Sequence, residues 1–362
     1  MLSQEDSSEN RISLNKDDLI SLISCPITTQ IFFDPVSINN CSHTFEHEAI
    51  STWCDSHHNP LCPVCRAPIL GLLPAIVVNG VVELTLANHP TLQNQRYFKL
   101  EYLKSALHNN EIAKLDKLLN MLKTSEYLNR ASEESDYEDI NALMVLSMFP
   151  EIIIRDRQLK QAITPQGLNL ISKMGMSPLH WLLATTRGLA LFVQDNELRA
   201  KISSEGLNTI AKEEGIKGLS GLYWLTKTLA GRDLLARDDV LRAKITRVGL
   251  NSIRAAGSHK GASALYWLAK KPEGQAILFK DKRLCALIEK ETLTSIVVDD
   301  NKQTALQHLK HTTLGRNILK NLTHLRDPIG LGKENSNRLF HHHAQKPVDR
   351  QYNREEKICT IL

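Results

Sequence analysis

A 43-residue segment repeats in the second half of this 362-residue chain. Residues 198–240 and 241–283 align without gaps and are identical at 20 of 43 positions. Trp181, Trp224 and Trp267 are spaced by 43 residues each time. Such a period is typical of helical repeats, whose units bury their apolar faces only by stacking on one another. The sequence therefore predicts an all-α repeat domain over residues 141–325.

Each unit reads as helices joined by a glycine-containing turn. In the unit that starts at Leu241, one helix is predicted over Leu241–Ile253 and another over Ser263–Leu268. The turn between them contains Gly257 and Gly261, and a short third helix is expected after Gly274. Residues 175–180 resemble the turn of ankyrin repeats, although the period here is about ten residues longer. We therefore expect an ankyrin-like α-solenoid that packs its tryptophans inside and offers a recognition surface.

Five of the seven cysteines lie between Cys25 and Cys65. An odd count with one tight cluster argues against a disulfide framework and for a metal-type module in a reducing compartment. On the eight-ligand, two-zinc RING template, the first site has one good ligand, in the set Cys25, Thr28, Glu46 and Ala49. The second site is complete, with Cys41, His43, Cys62 and Cys65. This second set predicts one tetrahedral zinc ion, or else a relic that packs as small buried groups.

Short motifs follow one another in a recognisable order from Cys25 onward. They read CPIT at Cys25, DPV at Asp34, HTFE at His43, AI at Ala49 followed by Trp53, and CPVCR at Cys62. Their order and spacing resemble the U-box family of E3 ubiquitin ligases. The resemblance implies a small α+β U-box domain over residues 16–90, in which side chains such as Thr28 and Glu46 replace zinc through a buried polar network. The complete second ligand set also resembles the single-zinc ligases of the SUMO pathway.

The U-box resemblance implies an E3 ubiquitin ligase with no covalent intermediate. Such a domain binds a ubiquitin-charged E2 and accelerates transfer by orientation. By resemblance, Ile27, Trp53 and Pro63 form the E2-binding surface, and Arg66 is the cation that bridges E2 and ubiquitin. The repeats would then select the protein substrate. The alternatives are a non-catalytic scaffold and a SUMO-type ligase with a single zinc.

The chain ends in Cys359-Thr-Ile-Leu, which fits a prenylation box. Its terminal leucine predicts a geranylgeranyl group on Cys359, added by a eukaryotic prenyltransferase. One lipid gives marginal membrane residence, and basic residues of the polar tail would add attraction to an anionic surface. A U-box with irregular repeats and a prenylation box also resembles the translocated effectors of intracellular bacterial pathogens. We therefore expect the protein on the cytosolic face of a membrane in a eukaryotic cell, which is a host cell if the protein is an effector.

The remaining segments and the charge complete these expectations. Residues 1–15 and 326–362 are polar and are expected to be a disordered leader and tail, and residues 95–140 are predicted to form a helical linker. The formal net charge of +4 is too small and interleaved to indicate nucleic-acid binding. No apolar window long enough for a membrane span occurs, and the polar N-terminus does not resemble a signal peptide.

Overall fold

The computed structural model describes residues 16–132, 139–213, 216–298, 302–322 and residue 325. The elements below all belong to one compact unit. The predicted leader, residues 1–15, and the whole predicted tail, residues 326–362 with Cys359, lie outside the described residues. No helix within the described ranges has the length and apolar character needed to cross a membrane.

Residues 16–99, called here the N-terminal module, combine a small sheet with three helices. Strands β1, β2 and β3 form an antiparallel sheet in the order β2-β1-β3, in which Val36 pairs with both Phe45 and Pro74. The core of the module contains Ile38, Phe45 and Ile50, all of which are fully buried. Its elements are α1 (Lys16–Leu22), β1 (Pro35–Ile38), β2 (Thr44–Glu46), α2 (His47–Asp55), β3 (Leu72–Pro74), α3 (Ile76–Asn88) and a 3₁₀ helix (Pro90–Gln95).

The regular elements among the described residues of 100–322 are all helices, and this range is called here the helical array. The predicted general layout, a small α+β module followed by a mostly helical region, is therefore confirmed for the described residues. The array contains α4 (Leu100–His108), α5 (Ile112–Thr124), a 3₁₀ helix (Glu126–Leu128), α6 (Ala142–Leu146), α7 (Pro150–Arg155), α8 (Arg157–Ala162), α9 (Pro165–Leu168), α10 (Pro178–Ala184), α11 (Thr186–Gln194), α12 (Asn196–Ala200), α13 (Ser204–Asn208), α14 (Gly221–Lys227), α15 (Leu229–Arg237), α16 (Asp239–Ala243), α17 (Arg247–Asn251), α18 (Ala264–Lys270), α19 (Pro272–Lys280), α20 (Lys282–Leu287), α21 (Lys290–Thr294), α22 (Ala305–Lys310) and α23 (Thr313–Asn321).

Equivalent helices of successive repeats pack against one another. Helices α6, α10, α14, α18 and α22 form one row, and α7, α11, α15, α19 and α23 form a second row. Trp181, Trp224 and Trp267 lie in the first row and are 4, 8 and 6% exposed. The tryptophans therefore pack inside the array, as expected from their regular spacing.

The repeated Gly-Leu-Asn triplet joins each repeat to the next. Asn208 Nδ2 donates to Lys244 O at 2.8 Å, and Asn208 Oδ1 accepts from Thr246 N at 3.0 Å. Asn169 makes the same pair of bonds to Lys201 and Ser203. Each glycine makes room for the asparagine of the preceding repeat, because a Cβ on Gly249 would overlap Asn208. The triplet is therefore an inter-repeat joint in which the glycine and the asparagine come from adjacent units.

This joint corrects the helix prediction within the unit. The predicted helix Leu241–Ile253 is two short helices, α16 and α17, which are separated between Ala243 and Arg247. The break occurs where Asn208 of the preceding repeat takes the C=O of Lys244 and the N–H of Thr246. Backbone groups engaged in this way cannot also serve a continuous helix. The third helix, α19, begins at Pro272 rather than after Gly274.

The same joint occurs before residue 141. Asn129 donates to Ala162 O at 2.8 Å and accepts from Thr164 N at 2.8 Å. An ion pair links the same region forward, because Lys123 Nζ lies 2.6 Å from Asp156. Equivalent pairs follow along the array, namely Lys160–Asp195 at 2.6 Å, Arg199–Asp238 at 3.3 Å and Arg242–Asp281 at 3.2 Å. Helix α5, within the predicted linker, is thus connected to the array by the array's own contacts.

Candidate functional site

Two loops of the N-terminal module have the same backbone conformation. In the first loop, Cys25 N donates to Gln30 O at 2.9 Å and Thr29 N donates to Cys25 O at 2.8 Å. In the second loop, Cys62 N donates to Ala67 O at 2.8 Å and Arg66 N donates to Cys62 O at 2.9 Å. Thr29 and Arg66 both adopt left-handed backbone, with φ of 59° and 61°. Thr28 therefore stands in the first loop where Cys65 stands in the second.

The second loop and the turn between β1 and β2 supply a four-residue ligand set. The donor atoms of Cys41, His43, Cys62 and Cys65 all lie within 4.8 Å of one another. Ser42 sits in the turn with φ of 57°, and its N–H donates to Ile38 O at 2.8 Å. This tight turn places the side chains of Cys41 and His43 at the second loop. Three sulfurs and one imidazole nitrogen match the ligand types of tetrahedral zinc.

The chemistry of these four residues fits a zinc ion. His43 Nδ1 is buried and has no hydrogen-bond partner among the described residues, which is the condition of a nitrogen reserved for a metal. Burial acts to raise the pKa of Cys62, but hydrogen bonds from the backbone N–H groups of Cys65 and Val64 and from the Cys65 and Cys41 side chains together lower that pKa below its usual range. A thiol with a lowered pKa loses its proton more readily, and the resulting thiolate is the form that binds a metal. Desolvation raises the pKa of Cys41. Cys41 therefore becomes a thiolate only when the positive charge of a bound ion stabilises it.

At the first loop, hydrogen bonds stand where a second metal would be held. Cys25 is 1% exposed, and its sulfur accepts from Glu46 N at 3.2 Å and from Ile27 N at 3.4 Å. The Glu46 carboxylate is fully buried and accepts from Phe33 N at 2.8 Å and Asp34 N at 3.0 Å. Burial raises the pKa of Glu46, and the two N–H donors partly oppose this change. Glu46 thus connects the first loop, the segment after it and strand β2.

Thr28 has a smaller part in this network than the sequence predicted. Its Oγ1 accepts from Gln30 N at 3.4 Å, which is a long contact within the same loop. The link between the first loop and Glu46 runs through Cys25 instead. In the sequence, Cys25 looks like the one remaining ligand of a lost zinc site. No sequence pattern indicates that its sulfur accepts hydrogen bonds from two backbone N–H groups.

The four predicted partner-binding residues are all at least partly accessible. Ile27 and Trp53 are half-buried and pack against the same hydrophobic core. Trp53 Nε1 donates to Leu61 O at 2.9 Å, so α2 is fastened to the beginning of the second loop. Pro63 is half-buried in that loop, and Arg66 is exposed at its end.

A charged cluster joins the N-terminal module to the array, and the sequence did not indicate it. Arg96 is 1% exposed, pairs with Glu83 of α3 and donates to Phe32 O at 3.2 Å. Lys117 of α5 donates to Phe33 O and stacks 4.7 Å above the Phe33 ring. Burial raises the pKa of Glu83, but the hydrogen bond and charge of Arg96 and the charge of Lys117 outweigh it and lower that pKa. Helix α5 is therefore anchored at Phe33, whose backbone N–H donates to the Glu46 carboxylate.

One known protein family matches part of the N-terminal module. Residues 16–66 match the family described as zinc-finger of the MIZ type in Nse subunit. The matched range contains both loops and all four ligand residues. This part of the N-terminal module is therefore similar to a MIZ-type zinc finger.

Parts of the chain are also similar to proteins named as E3 ubiquitin ligases or as a U-box protein. The E3 ubiquitin-protein ligase CHFR of Xenopus laevis is 32% identical over 78 residues, which are 22% of this chain and 12% of that protein. The E3 ubiquitin-protein ligase RNF166 of Xenopus laevis is 40% identical over 52 residues, covering 14% of this chain and 21% of that protein. The U-box domain-containing protein 43 of Arabidopsis thaliana is 28% identical over 171 residues, covering 45% and 17%. The chain thus spans about a fifth or less of each relative, and the matches support a RING-like ligase module.

Proposed function

We propose that this protein is an E3 ubiquitin ligase of the U-box type that binds a ubiquitin-charged E2 through its N-terminal module. The observation that carries the proposal is the pair of equivalent loops, which the Glu46 network and the four-ligand set hold on one core. Ile27 lies in the first loop, Pro63 in the second, and Trp53 on the helix fastened to the second loop. Rigid apolar anchors of this kind dominate small interfaces.

Arg66 supplies the charged part of the proposed mechanism. Its backbone N–H is held by Cys62 O at 2.9 Å, so the guanidinium extends from a fixed point directly after the ligand Cys65. We propose that it donates to both E2 and ubiquitin and holds the thioester for attack by a lysine. A planar five-donor cation can bridge two acceptors at once, and the acceleration comes from orientation alone. Bound zinc would fix the loop that carries Arg66 and would take no part in the chemistry.

The test is ubiquitin discharge from charged E2 enzymes to free lysine with the purified full chain. Ile27→Ala and Arg66→Ala should each lower the discharge rate at least about tenfold, because each removes a contact to the E2 complex. Arg66→Lys should recover part of the rate, since it keeps the charge and loses the fork. Arg130→Ala, on the helical array, is the matched control and should leave discharge unchanged. Wild-type discharge by Arg66→Ala would remove this residue from the mechanism.

A SUMO-type E3 ligase with a single zinc is the second candidate. The match to the MIZ-type zinc finger and the complete set Cys41, His43, Cys62 and Cys65 favour it. The same assay with SUMO and its conjugating enzyme separates the two proposals by which modifier is discharged. A chain that accelerates neither reaction would leave the third alternative, a non-catalytic scaffold.

The proposal also assigns a role to the helical array and a role to the C-terminus. We propose that the stacked repeats form an ankyrin-like α-solenoid that selects the protein substrate. Geranylgeranylation of Cys359 would tether the chain to the cytosolic face of a eukaryotic membrane. In fractionated eukaryotic cells, Cys359→Ser should move the protein from the membrane to the soluble fraction, and Cys54→Ser should not. Equal partitioning of both variants would exclude the tether, and with it the resemblance to prenylated bacterial effectors.

A further inference from the structure

Two neighbouring residues of the N-terminal module, Phe32 and Phe33, pack into different hydrophobic clusters. Phe32 is 2% exposed and packs with Phe45 in the core of the module. Phe33 is 1% exposed and packs instead with Ala106 of α4 and Leu118 of α5. The segment that follows the first loop therefore inserts one side chain among the first helices of the helical array.

The backbone of Phe33 is held from both sides. Its N–H donates to the Glu46 carboxylate at 2.8 Å, and its C=O accepts from Lys117 Nζ. Lys117 also donates to Asn79 Oδ1 of α3 at 2.9 Å, so its ammonium group lies between α5 and the module. A buried carbonyl that loses its donor leaves an unsatisfied polar group, which is costly. The Phe33 peptide thus connects α5 to the Glu46 network.

The same network continues to the first loop. The N–H of Glu46 donates to Cys25 Sγ at 3.2 Å, and the N–H of Ile27 donates to the same sulfur at 3.4 Å. The hydrogen-bonded series that runs from α5 to the first loop therefore consists of Lys117, Phe33, Glu46, Cys25 and Ile27. In such a network each member limits the positions open to the next.

The second loop is fastened from within the N-terminal module. Trp53 Nε1 of α2 donates to Leu61 O at 2.9 Å, and Asn40 Nδ2 donates to Pro68 O at 2.7 Å. The four-ligand set lies at the same loop. All of these residues belong to the module, whereas the series that ends at the first loop begins on α5. A change at α5 should therefore act on the first loop and spare the second.

We propose that Lys117 is a positioning residue for E2 binding. It acts through Phe33 and Glu46 and holds the first loop, with Ile27, in the conformation that binds a charged E2. The inference rests on the proposed function, which assigns Ile27 to the E2-binding surface. An E2 that binds a loosened loop must also order it, and this ordering weakens the complex. The effect of Lys117 should therefore lie in the affinity for charged E2 and not in the transfer step, where Arg66 acts.

The test measures ubiquitin discharge by the purified full chain at a series of charged-E2 concentrations. Lys117→Met keeps an unbranched side chain over the Phe33 ring and removes the donor to Phe33 O. The KM for charged E2 should rise about tenfold, and kcat should change by less than about twofold. Lys123→Met is the matched control, because Lys123 lies on the same helix and pairs with Asp156 of the array. This control should keep the wild-type KM.

Amide hydrogen exchange of the full chain without E2 tests the same series of contacts. In Lys117→Met, the amides of Cys25, Thr29 and Phe33 should exchange at least about fivefold faster than in the wild type. The amides of Cys62 and Arg66, in the second loop, should keep their wild-type rates. Lys123→Met should leave the exchange of both loops unchanged.

A wild-type KM or wild-type exchange of the first loop in Lys117→Met would overturn the proposal. Equally faster exchange in both loops, or a lower kcat at unchanged KM, would also overturn it, because either result describes a general loss of folded protein. A wild-type chain that discharges no charged E2 would refute the proposed function itself. Faster exchange of the first loop in Lys117→Met would then still show that Lys117 holds that loop, so the two failures are distinguishable.

Discussion

The backbone N–H of Glu46 points at the sulfur of Cys25, with 3.2 Å between nitrogen and sulfur. The carboxylate of the same Glu46 accepts the N–H groups of Phe33 and Asp34. A single residue therefore ties the first loop to strand β2 and to the segment between them. In a two-zinc module this connection would be made by a metal ion, and here it is made by hydrogen bonds that each need a correctly placed partner.

We expect Glu46→Gln to destabilise the N-terminal module by about 3 kcal/mol. The amide replaces one acceptor oxygen by an NH₂ group, which would face the N–H donors of Phe33 and Asp34 and leave one of them unpaired in the core. Chemical denaturation of the full chain, followed by amide hydrogen exchange of residues 16–99, measures the change. Glu101→Gln at an exposed position of α4 is the control and should change the free energy of unfolding by less than about 0.5 kcal/mol. Equal effects of the two substitutions would contradict the network.

We expect the purified chain to bind one zinc ion per molecule. Cys65→Ser should abolish binding, because three ligands hold zinc far more weakly than four. Cys54→Ser changes a half-buried cysteine outside the ligand set and should keep the full zinc content. Elemental analysis after gel filtration measures the stoichiometry. A metal content near zero in protein purified without chelators would favour the relic interpretation of the four side chains.

The joints between repeats make a prediction about paired substitutions. Gly249→Ala should destabilise the array by about 2 kcal/mol, because its Cβ would overlap Asn208. Asn208→Ala should cost a similar amount through the loss of its bonds to Lys244 and Thr246. The double variant should cost at least about 1 kcal/mol less than the two single losses together, since one contact is removed only once. Strictly additive free energies of unfolding would show that the two residues do not share a joint.

His180 should make the stability of the array depend on pH. Its ring is fully buried, accepts at Nδ1 from Ser177 N at 3.1 Å and donates from Nε2 to Thr209 O at 3.1 Å. Burial lowers the pKa of His180 to about 4, from an ordinary value of 6.5. The unfolded chain therefore binds a proton at a pH where the folded chain does not. The contribution of His180 to the free energy of unfolding is fully present above pH 6.5. The free energy of unfolding should fall by roughly 3 kcal/mol as the pH drops to about 4.

The comparison that isolates this contribution uses His180→Asn, which cannot titrate in this range. The difference in free energy of unfolding between wild type and variant should shrink as the pH falls from 6.5 towards 4. Urea denaturation at a series of pH values measures it. A difference independent of pH would mean that the ring is protonated equally in the folded and unfolded states.

Several features of this protein follow from local patterns in the chain. The 43-residue period predicted the helical array, since every unit must present the same face to its neighbour. The spacing of Cys41, His43, Cys62 and Cys65 predicted the ligand set, and the structure brings these four residues together. Zinc ligands and repeat units are recognisable because their chemistry requires particular residues at particular intervals.

Other features depended on contacts between distant segments. The predicted helix Leu241–Ile253 is broken because Asn208, in the repeat before it, takes backbone groups that the helix would use. Lys117 reaches Phe33 across 84 residues of chain, and no local pattern indicates that meeting. The apolar sequence of α3 is typical of a buried core helix, yet the side chains of Ile76, Val77 and Leu84 are exposed in the fold. Residue types and their spacing thus specified the N-terminal module and the repeats. Only the three-dimensional packing decided which backbone groups are hydrogen-bonded by distant residues and which helix faces are exposed, because both depend on the neighbours that each segment acquires in the fold.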